Sequence, residues 1–322
     1  MTMTLPPAGG DRPSPDQLVA AHERRLAAMD RLLRASHPAP AIRPDDLVLR
    51  TDGGLGVIRT HRPDPASFLA AWGAAEQHQL TVRIGGVDPP AAMDALLVQC
   101  RQALRSRVAG EDPETELTLT WPSRDAAVTP VLLQHNLRLS HVIAARPARR
   151  PVPAATVSPE VETRPIEPGD LDQAVRLWLS AVTWDAQFGA AVLRGSTASA
   201  IESRLTELVV RGRGWTWVAR HRSQVVGLLV ISPPERSGWI APLTAPAPVA
   251  YLDCLVVDQQ YRGAGVGAEL VRHGHAALDG VGVAVTLLHY AATNPLSAPF
   301  WHRCGYRPLW SGWQARPASR LT

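Results

Sequence analysis

The sequence predicts an α/β protein built as two mixed-sheet α/β domains in tandem. Three observations carry that expectation. Short strands rich in β-branched and aromatic residues alternate with helices in both halves of the chain, the pattern of a layered α/β sandwich. A proline-rich stretch at 147–159, with Pro147, Pro151, Pro153 and Pro159 among Ala and Arg, separates the halves as a semi-rigid spacer. The second half laid over the first reveals a faint repeat: Asp125 falls on Asn294, Pro130 on Pro299, Asn136 on Gly305, Leu137 on Tyr306 and Arg138 on Arg307. Asn136 in place of glycine keeps the left-handed backbone that only Gly, Asn or Asp adopts readily. The expected division is a helical arm at 1–45, a first domain at 46–146, a linker at 147–160 and a second domain at 161–322.

In chain order, Ser14-Pro15-Asp16-Gln17 reads as a capped helix start, and Leu18, His22, Leu26, Met29 and Leu33 form one face up to Ala35. Strands are predicted at 47–50 and 56–59, then a helix after Asp64-Pro65, a strand at 81–84 and a helix at 89–108. A strand at 117–121, a helix at 129–135 and a strand at 139–145 close the first half. The second half opens with a strand at 163–166 and a helix capped by Asp170. A loop at 184–197, a helix at 198–211, a hairpin at 215–220 and 224–231 and a loop at 232–248 follow. Beyond the stretch discussed next, a strand at 283–289, a helix at 296–303 and a strand at 309–315 complete the chain.

Composition narrows the function classes. Of 322 residues, 45% are hydrophobic and 19% charged, which describes a globular chain with a sizeable core. No apolar run approaches the ~20 residues of a spanning helix. The net charge of +4 falls short of a nucleic-acid footprint. Cys100, Cys254 and Cys304 stand at no metal-ligand spacing and read as reduced thiols, so no metal and a cytoplasmic setting are expected. All of the basic residues are arginine, which reads as base composition rather than function.

Residues 251–270, YLDCLVVDQQYRGAGVGAEL, organise the second half. They begin as a strand and end as a helix, with Val266, Leu270, Gly274 and Leu278 at helical spacing. Between lies Arg262-Gly263-Ala264-Gly265-Val266-Gly267. Glycines at alternate positions let backbone N–H groups converge, and a helix opening there adds its free amides and the positive end of its dipole. That is an anion cradle suited to a pyrophosphate. It is no P-loop, since Ala268-Glu269 stand where Lys and Ser/Thr are needed, and a dinucleotide fingerprint fails because five residues separate strand and glycines.

The stretch resembles motif A of the GNAT superfamily of acyl-CoA N-acyltransferases, [QR]-x-x-G-x-[GA], which Arg262-x-x-Gly265-x-Gly267 fits. Asn294, Ser297, Phe300, Trp301, Gly305 and Tyr306 resemble the family's motif B. The resemblance covers 161–322 and implies a GNAT fold there, and the repeat makes the first half a degenerate GNAT-like domain. Where the cradle should stand it reads Pro89-Pro90-Ala91-Ala92-Met93-Asp94, which cannot hold a pyrophosphate. The tandem arrangement resembles that of the mycothiol synthases. The resemblance implies acetyl-CoA as co-substrate and a small-molecule amine as acceptor, with direct attack and no covalent intermediate. It places Leu255, Val256 and Val257 along the pantetheine arm, Arg262 through Gly267 at the pyrophosphate, and Asn294, Ser297, Phe300 and Trp301 beside the cofactor. The family's motif-B tyrosine, a proton donor to the leaving thiolate, is Trp301 here, and an indole is no acid at neutral pH.

Candidate acid–base residues are Asp253, Tyr251 and His289. Asp253 is a carboxylate in an apolar strand, expected on one face with Tyr251, Leu255 and Val257, with Cys254 on the other. Trp184 and Trp239, in loops flanking the expected acceptor entrance, are candidates to line a pocket for an apolar or cationic amine. The missing tyrosine keeps open an alternative, a non-catalytic acyl-CoA-binding sensor module.

Overall fold

The structure, a computed structural model, describes all residues except 1–12, 35–41, 109, 152–157, 159 and 212–213. Helix α1 (Pro15–Met29) starts with the predicted capping box: Gln17 donates its backbone N–H to Ser14 Oγ, and Ser14 N–H donates to Gln17 Oε1. It ends at Met29, short of Ala35, because Asp30 turns extended and its carboxylate accepts the Leu32 N–H at 2.9 Å. The predicted proline stop at 37–40 lies outside the described residues, as does half of the linker.

The first half then runs β1 (Leu47–Arg50), β2 (Gly54–His61), a short helical turn at Phe68–Trp72, β3 (Glu76–Ile84), α2 (Pro89–Arg105), β4 (Thr115–Pro122), α3 (Thr129–Gln134) and β5 (Arg138–Pro147). The second runs β6 (Val161–Pro165), α4 (Leu171–Ala186), α5 (Thr197–Arg211), β7 (Thr216–His221), β8 (Gln224–Ser232), β9 (Val249–Val257), α6 (Val266–Gly280), β10 (Val285–Ala291), α7 (Ser297–Arg303) and β11 (Arg307–Ala315). This is the predicted order in both halves. Two local expectations are corrected. Trp184 is helical, in α4 rather than a loop, and Asp170 does not cap that helix. Its buried carboxylate instead binds Arg164 and Arg220 at 2.8 and 2.6 Å and the Glu167 N–H at 2.9 Å, so the ions outcompete the cap.

Among the described residues the eleven strands form one sheet, in the order β1-β2-β3-β4-β11-β5-β10-β9-β8-β7-β6. The halves share it by exchange. The last strand of the chain, β11, pairs with β4 of the first half, and β5 pairs with β10 of the second. The repeat is visible in the backbone: α3 and α7 both end on a left-handed residue, Asn136 at φ 56° and Gly305 at φ 86°. Each half also contains one parallel pair that comes apart. Strands β9 and β10 pair only from Val249/Val285 to Leu252/Leu288, and β3 and β4 only from Glu76/Thr115 to Leu80/Leu119. Beyond those points each pair splays and leaves a wedge between the strands.

The two wedges are filled differently. In the first half, α1 lies over the gap. His22 Nδ1 accepts the Ile84 N–H at 3.4 Å and its ring tilts against Trp121 at 5.6 Å. Arg25 meets Asp125, and a side chain at Gly85 would strike Leu18. Helix α2 opens on Asp88 and two prolines, with Met93 fully buried, so no amide cradle exists at its start. In the second half, α6 packs on β7 to β9 on one face and α4 and α5 cover the other, leaving the wedge accessible.

Candidate active site

The cradle follows from its glycines. Gly263 and Gly265 have φ of 81° and 80°, a conformation that side chains resist, and Gly265 is the N-cap of α6. Gly265 has no side chain to cap the helix, so the first-turn amides of Val266, Gly267 and Ala268 are left for a ligand. Arg262 lies over the Trp184 ring at 5.4 Å, and both stand at the rim.

From the cradle a cavity of about 1130 Å³ runs through the β9/β10 wedge to the far side of the sheet. Each sequence-predicted site residue except Ala264 lies on its wall. Asn294, at the entrance of α7, donates from Nδ2 to Asp185 at 3.0 Å, and its Oδ1 accepts the Leu296 N–H at 3.1 Å. Phe300 and Trp301 pack edge to face at 5.0 Å, with Trp301 buried against Tyr306.

At the sheet's centre the alternation predicted for β9 is broken. A bulge between Val230/Ile231 and Cys254/Leu252 inserts one residue. Ala250 and Leu252 face α6, and Leu255 and Val257 do so again beyond the bulge, whereas Cys254 and Val256 join the core under α4 and α5. Asp253 therefore parts from Leu255 and Val257, and Cys254 comes to its side of the sheet. Its carboxylate lies 3.7 Å from Arg204 of α5, and its buried Oδ2 has no hydrogen-bond partner among the described residues. Burial raises the Asp253 pKa above the ordinary carboxylate range, and Ser232 and Arg204 pull it only partly back. Asp185 is likewise raised by burial, offset in part by Asn294.

Tyr251 and His289 are brought together, hydroxyl to Nδ1 at 3.0 Å. Trp239 packs edge-on to Tyr251 at 4.9 Å and stacks near-parallel to His289 at 6.1 Å. Burial, with His141 nearby, lowers His289 to about 3, and burial raises Tyr251. His141 itself is a residue that sequence reasoning missed. It comes from β5 of the first half, its ring 5.3 Å from His289, and it lies flat on Gly312 of β11, where any side chain would overlap it. The first half also lends Phe68, Leu69, Trp72, Gly73, Gln77 and Ser140 to the wall. Arg194 holds that turn against α5 by donating to the carbonyls of Ala70 at 2.7 Å and Gly73 at 3.0 Å. The repeat was the only sequence signal for these contributions, and it does not show that strands are exchanged. Tyr290, next to His289, was also missed. It faces the α6 side among Trp301 and Leu270, and its hydroxyl lies 3.4 Å from His302 Nε2.

Residues 188–306 match the model of the acetyltransferase (GNAT) family. No curated protein matches the sequence. Among solved structures, a GCN5-related N-acetyltransferase from Sphaerobacter thermophilus is similar over 95% of this chain and 94% of its own, at 14% identity and a TM-score of 0.55. A tandem GNAT protein from the clavulanic acid biosynthesis pathway is similar over 94% of each chain, at 17% identity and a TM-score of 0.50. A GCN5-related glucosamine N-acetyltransferase region of a fungal multi-domain β-N-acetylglucosaminidase covers 81% of this chain and 31% of that one, at 14% identity and a TM-score of 0.51. Residues 188–306 thus match the acetyltransferase (GNAT) family model, and the chain as a whole has a fold similar to that of a tandem GNAT protein.

Proposed function

We propose that the protein transfers an acetyl group from acetyl-CoA to the primary amine of a small molecule by direct attack. The match of residues 188–306 to the acetyltransferase (GNAT) family model supports acyl transfer from an acyl-CoA. The observation that carries the amine reading is one continuous cavity lined both by the glycine cradle and by Asp253, whose buried Oδ2 has no hydrogen-bond partner among the described residues. The cradle suits the donor, because its open first-turn amides and the left-handed Gly263 and Gly265 leave room that a Cβ would fill. Val266, Gly267 and Ala268 amides with Arg262 hold the pyrophosphate, and Leu255, Val256 and Val257 line the path of the pantetheine arm.

Asp253 is the base that takes the ammonium proton. His289, lowered to about 3, is too weak a base at neutral pH, whereas burial brings Asp253 closer to the working range. The freed nitrogen attacks the thioester carbon, the C–N bond forms, the C–S bond breaks and the thiolate leaves, and the nitrogen releases its extra proton to solvent to give the amide. Trp301 cannot protonate it. Tyr290 takes that role: it stands on β10 just past the last rung shared with β9, faces the cofactor side with Leu255, and connects through His302 to solvent.

Trp301 is also what favours a second reading, an acyl-CoA sensor without turnover. A thiol-release assay with acetyl-CoA across a panel of amines separates them. Amine-dependent release supports the transferase; tight acetyl-CoA binding with no release above background for any amine supports the sensor.

A further inference from the structure

The acceptor end of the cavity carries two kinds of surface that nothing among the described residues satisfies. One is the buried Oδ2 of Asp253, a residue of the cavity wall, which has no hydrogen-bond partner among the described residues. The other is apolar: Leu69 and Trp239 are each 62% exposed and Trp72 is 38% exposed, yet all three line this cavity. Large apolar side chains left open to solvent in a concave site mark where an apolar ligand body is to be buried. Behind them the aromatic wall continues inward, with Phe68 edge-on to Trp72 at 5.8 Å and to Trp178 at 5.2 Å.

Two arginines of the cavity wall, Arg204 and Arg316, are already engaged. Arg204 faces Asp253 at 3.7 Å and Glu207 at 3.5 Å. Arg316 donates to the Pro113 carbonyl at 2.7 Å and faces Glu114 at 3.7 Å. A carboxylate on the acceptor would therefore meet Asp253 and Asp185, with Arg204 and Arg316 already paired. A polyhydroxylated acceptor would set its hydroxyls against Leu69, Trp72 and Trp239, leaving them unpaired.

We propose that the acceptor is a monocationic primary amine on an aryl or alkyl body, held at nitrogen by Asp253 and along the body by Leu69, Trp72 and Trp239. On this view the first half, through the turn at Phe68–Trp72, sets acceptor specificity for chemistry performed in the second. The inference rests on the transferase reading above, and its test keeps the two apart.

With the full chain and saturating acetyl-CoA, kcat/KM from thiol release is compared for 2-phenylethylamine, ethylamine, phenylalanine and glucosamine. The expected result is a preference of at least about tenfold for 2-phenylethylamine over each of the others, the scale of discrimination an apolar pocket supplies. Trp72→Ala and the more exposed Leu69→Gln should each lower the 2-phenylethylamine to ethylamine ratio several-fold, about tenfold for Trp72. Far-UV circular dichroism identifies any variant that fails to fold, in which case the other carries the comparison. Faster turnover of glucosamine or phenylalanine, or an unchanged ratio in the folded variants, overturns the proposal while leaving the transferase intact. If no amine is turned over, the transferase reading falls. Calorimetry of 2-phenylethylamine with the CoA-loaded chain then decides the pocket: binding weakened by Leu69→Gln upholds it, and no binding overturns it.

Discussion

At the scale of single residues the account turns on Asp253 and Tyr290. Asp253→Asn keeps the shape of the side chain but cannot take a proton. It should lower kcat by ~10²–10⁴-fold, the usual share of a general base, with a smaller effect on KM for acetyl-CoA. In the wild type, activity requires the carboxylate ionised, and burial raises its pKa. The rate should therefore fall with decreasing pH at a higher pH than an ordinary carboxylate would give, and this acidic limb should vanish in the variant. Tyr290→Phe should lower kcat by about 10–100-fold with acetyl-CoA affinity unchanged, measured by steady-state rates beside calorimetry. An unaltered kcat would return the question of the acid to Tyr251, whose hydroxyl is tied to His289. Both residues illustrate what alternation can and cannot tell. It placed Asp253 at the thioester segment, because an acid among Leu252, Cys254 and Leu255 stands out. It could not reveal the bulge that turns Asp253 and Cys254 to one side, since an inserted residue is a property of the pairing with β8.

At the scale of elements, the turn through Gly263 and Gly265 and the start of α6 were legible, because alternate glycines before a helical pattern favour a left-handed turn opening a helix. The role of α1 was not. Its capping box and apolar face announced a packing helix, but what it packs on depends on contacts far away in sequence. It closes the wedge of the first half, and His22 satisfies the Ile84 amide that the splay leaves unpaired. His22→Ala should cost about 1–3 kcal/mol of stability, the penalty of a buried amide without a partner, read from denaturant midpoints. It should not create a second acyl-CoA site, because α2 still begins with Pro89 and Pro90.

For the whole molecule, the exchange of β5 and β11 makes the halves inseparable in the sheet, so the first half supplies His141, Trp72 and Gln77 to a cavity centred in the second. The repeat foretold two related halves, but strand exchange leaves no trace in a one-dimensional pattern. Interdependence also shapes the response to acid. His22, His275 and His289 are each lowered to about 3, chiefly by burial, and they lie in both halves. A depressed histidine binds fewer protons folded than unfolded between about 3 and 6.5, so stability is full above the unfolded value and lost as pH falls toward the folded one. Urea midpoints should hold steady above neutrality and drop progressively below about pH 6.5. His275→Phe, which removes one of these groups, should reduce that slope.

One measurement bears most directly on the central claim that a single acyl-CoA site lies in the β9/β10 wedge. Acetyl-CoA is titrated calorimetrically into the full chain and into Gly265→Glu, a variant whose side chain and charge would fill the pyrophosphate position. The account predicts one molecule bound per chain and no binding by the folded variant. Two molecules per chain, or unchanged affinity in Gly265→Glu, would contradict it.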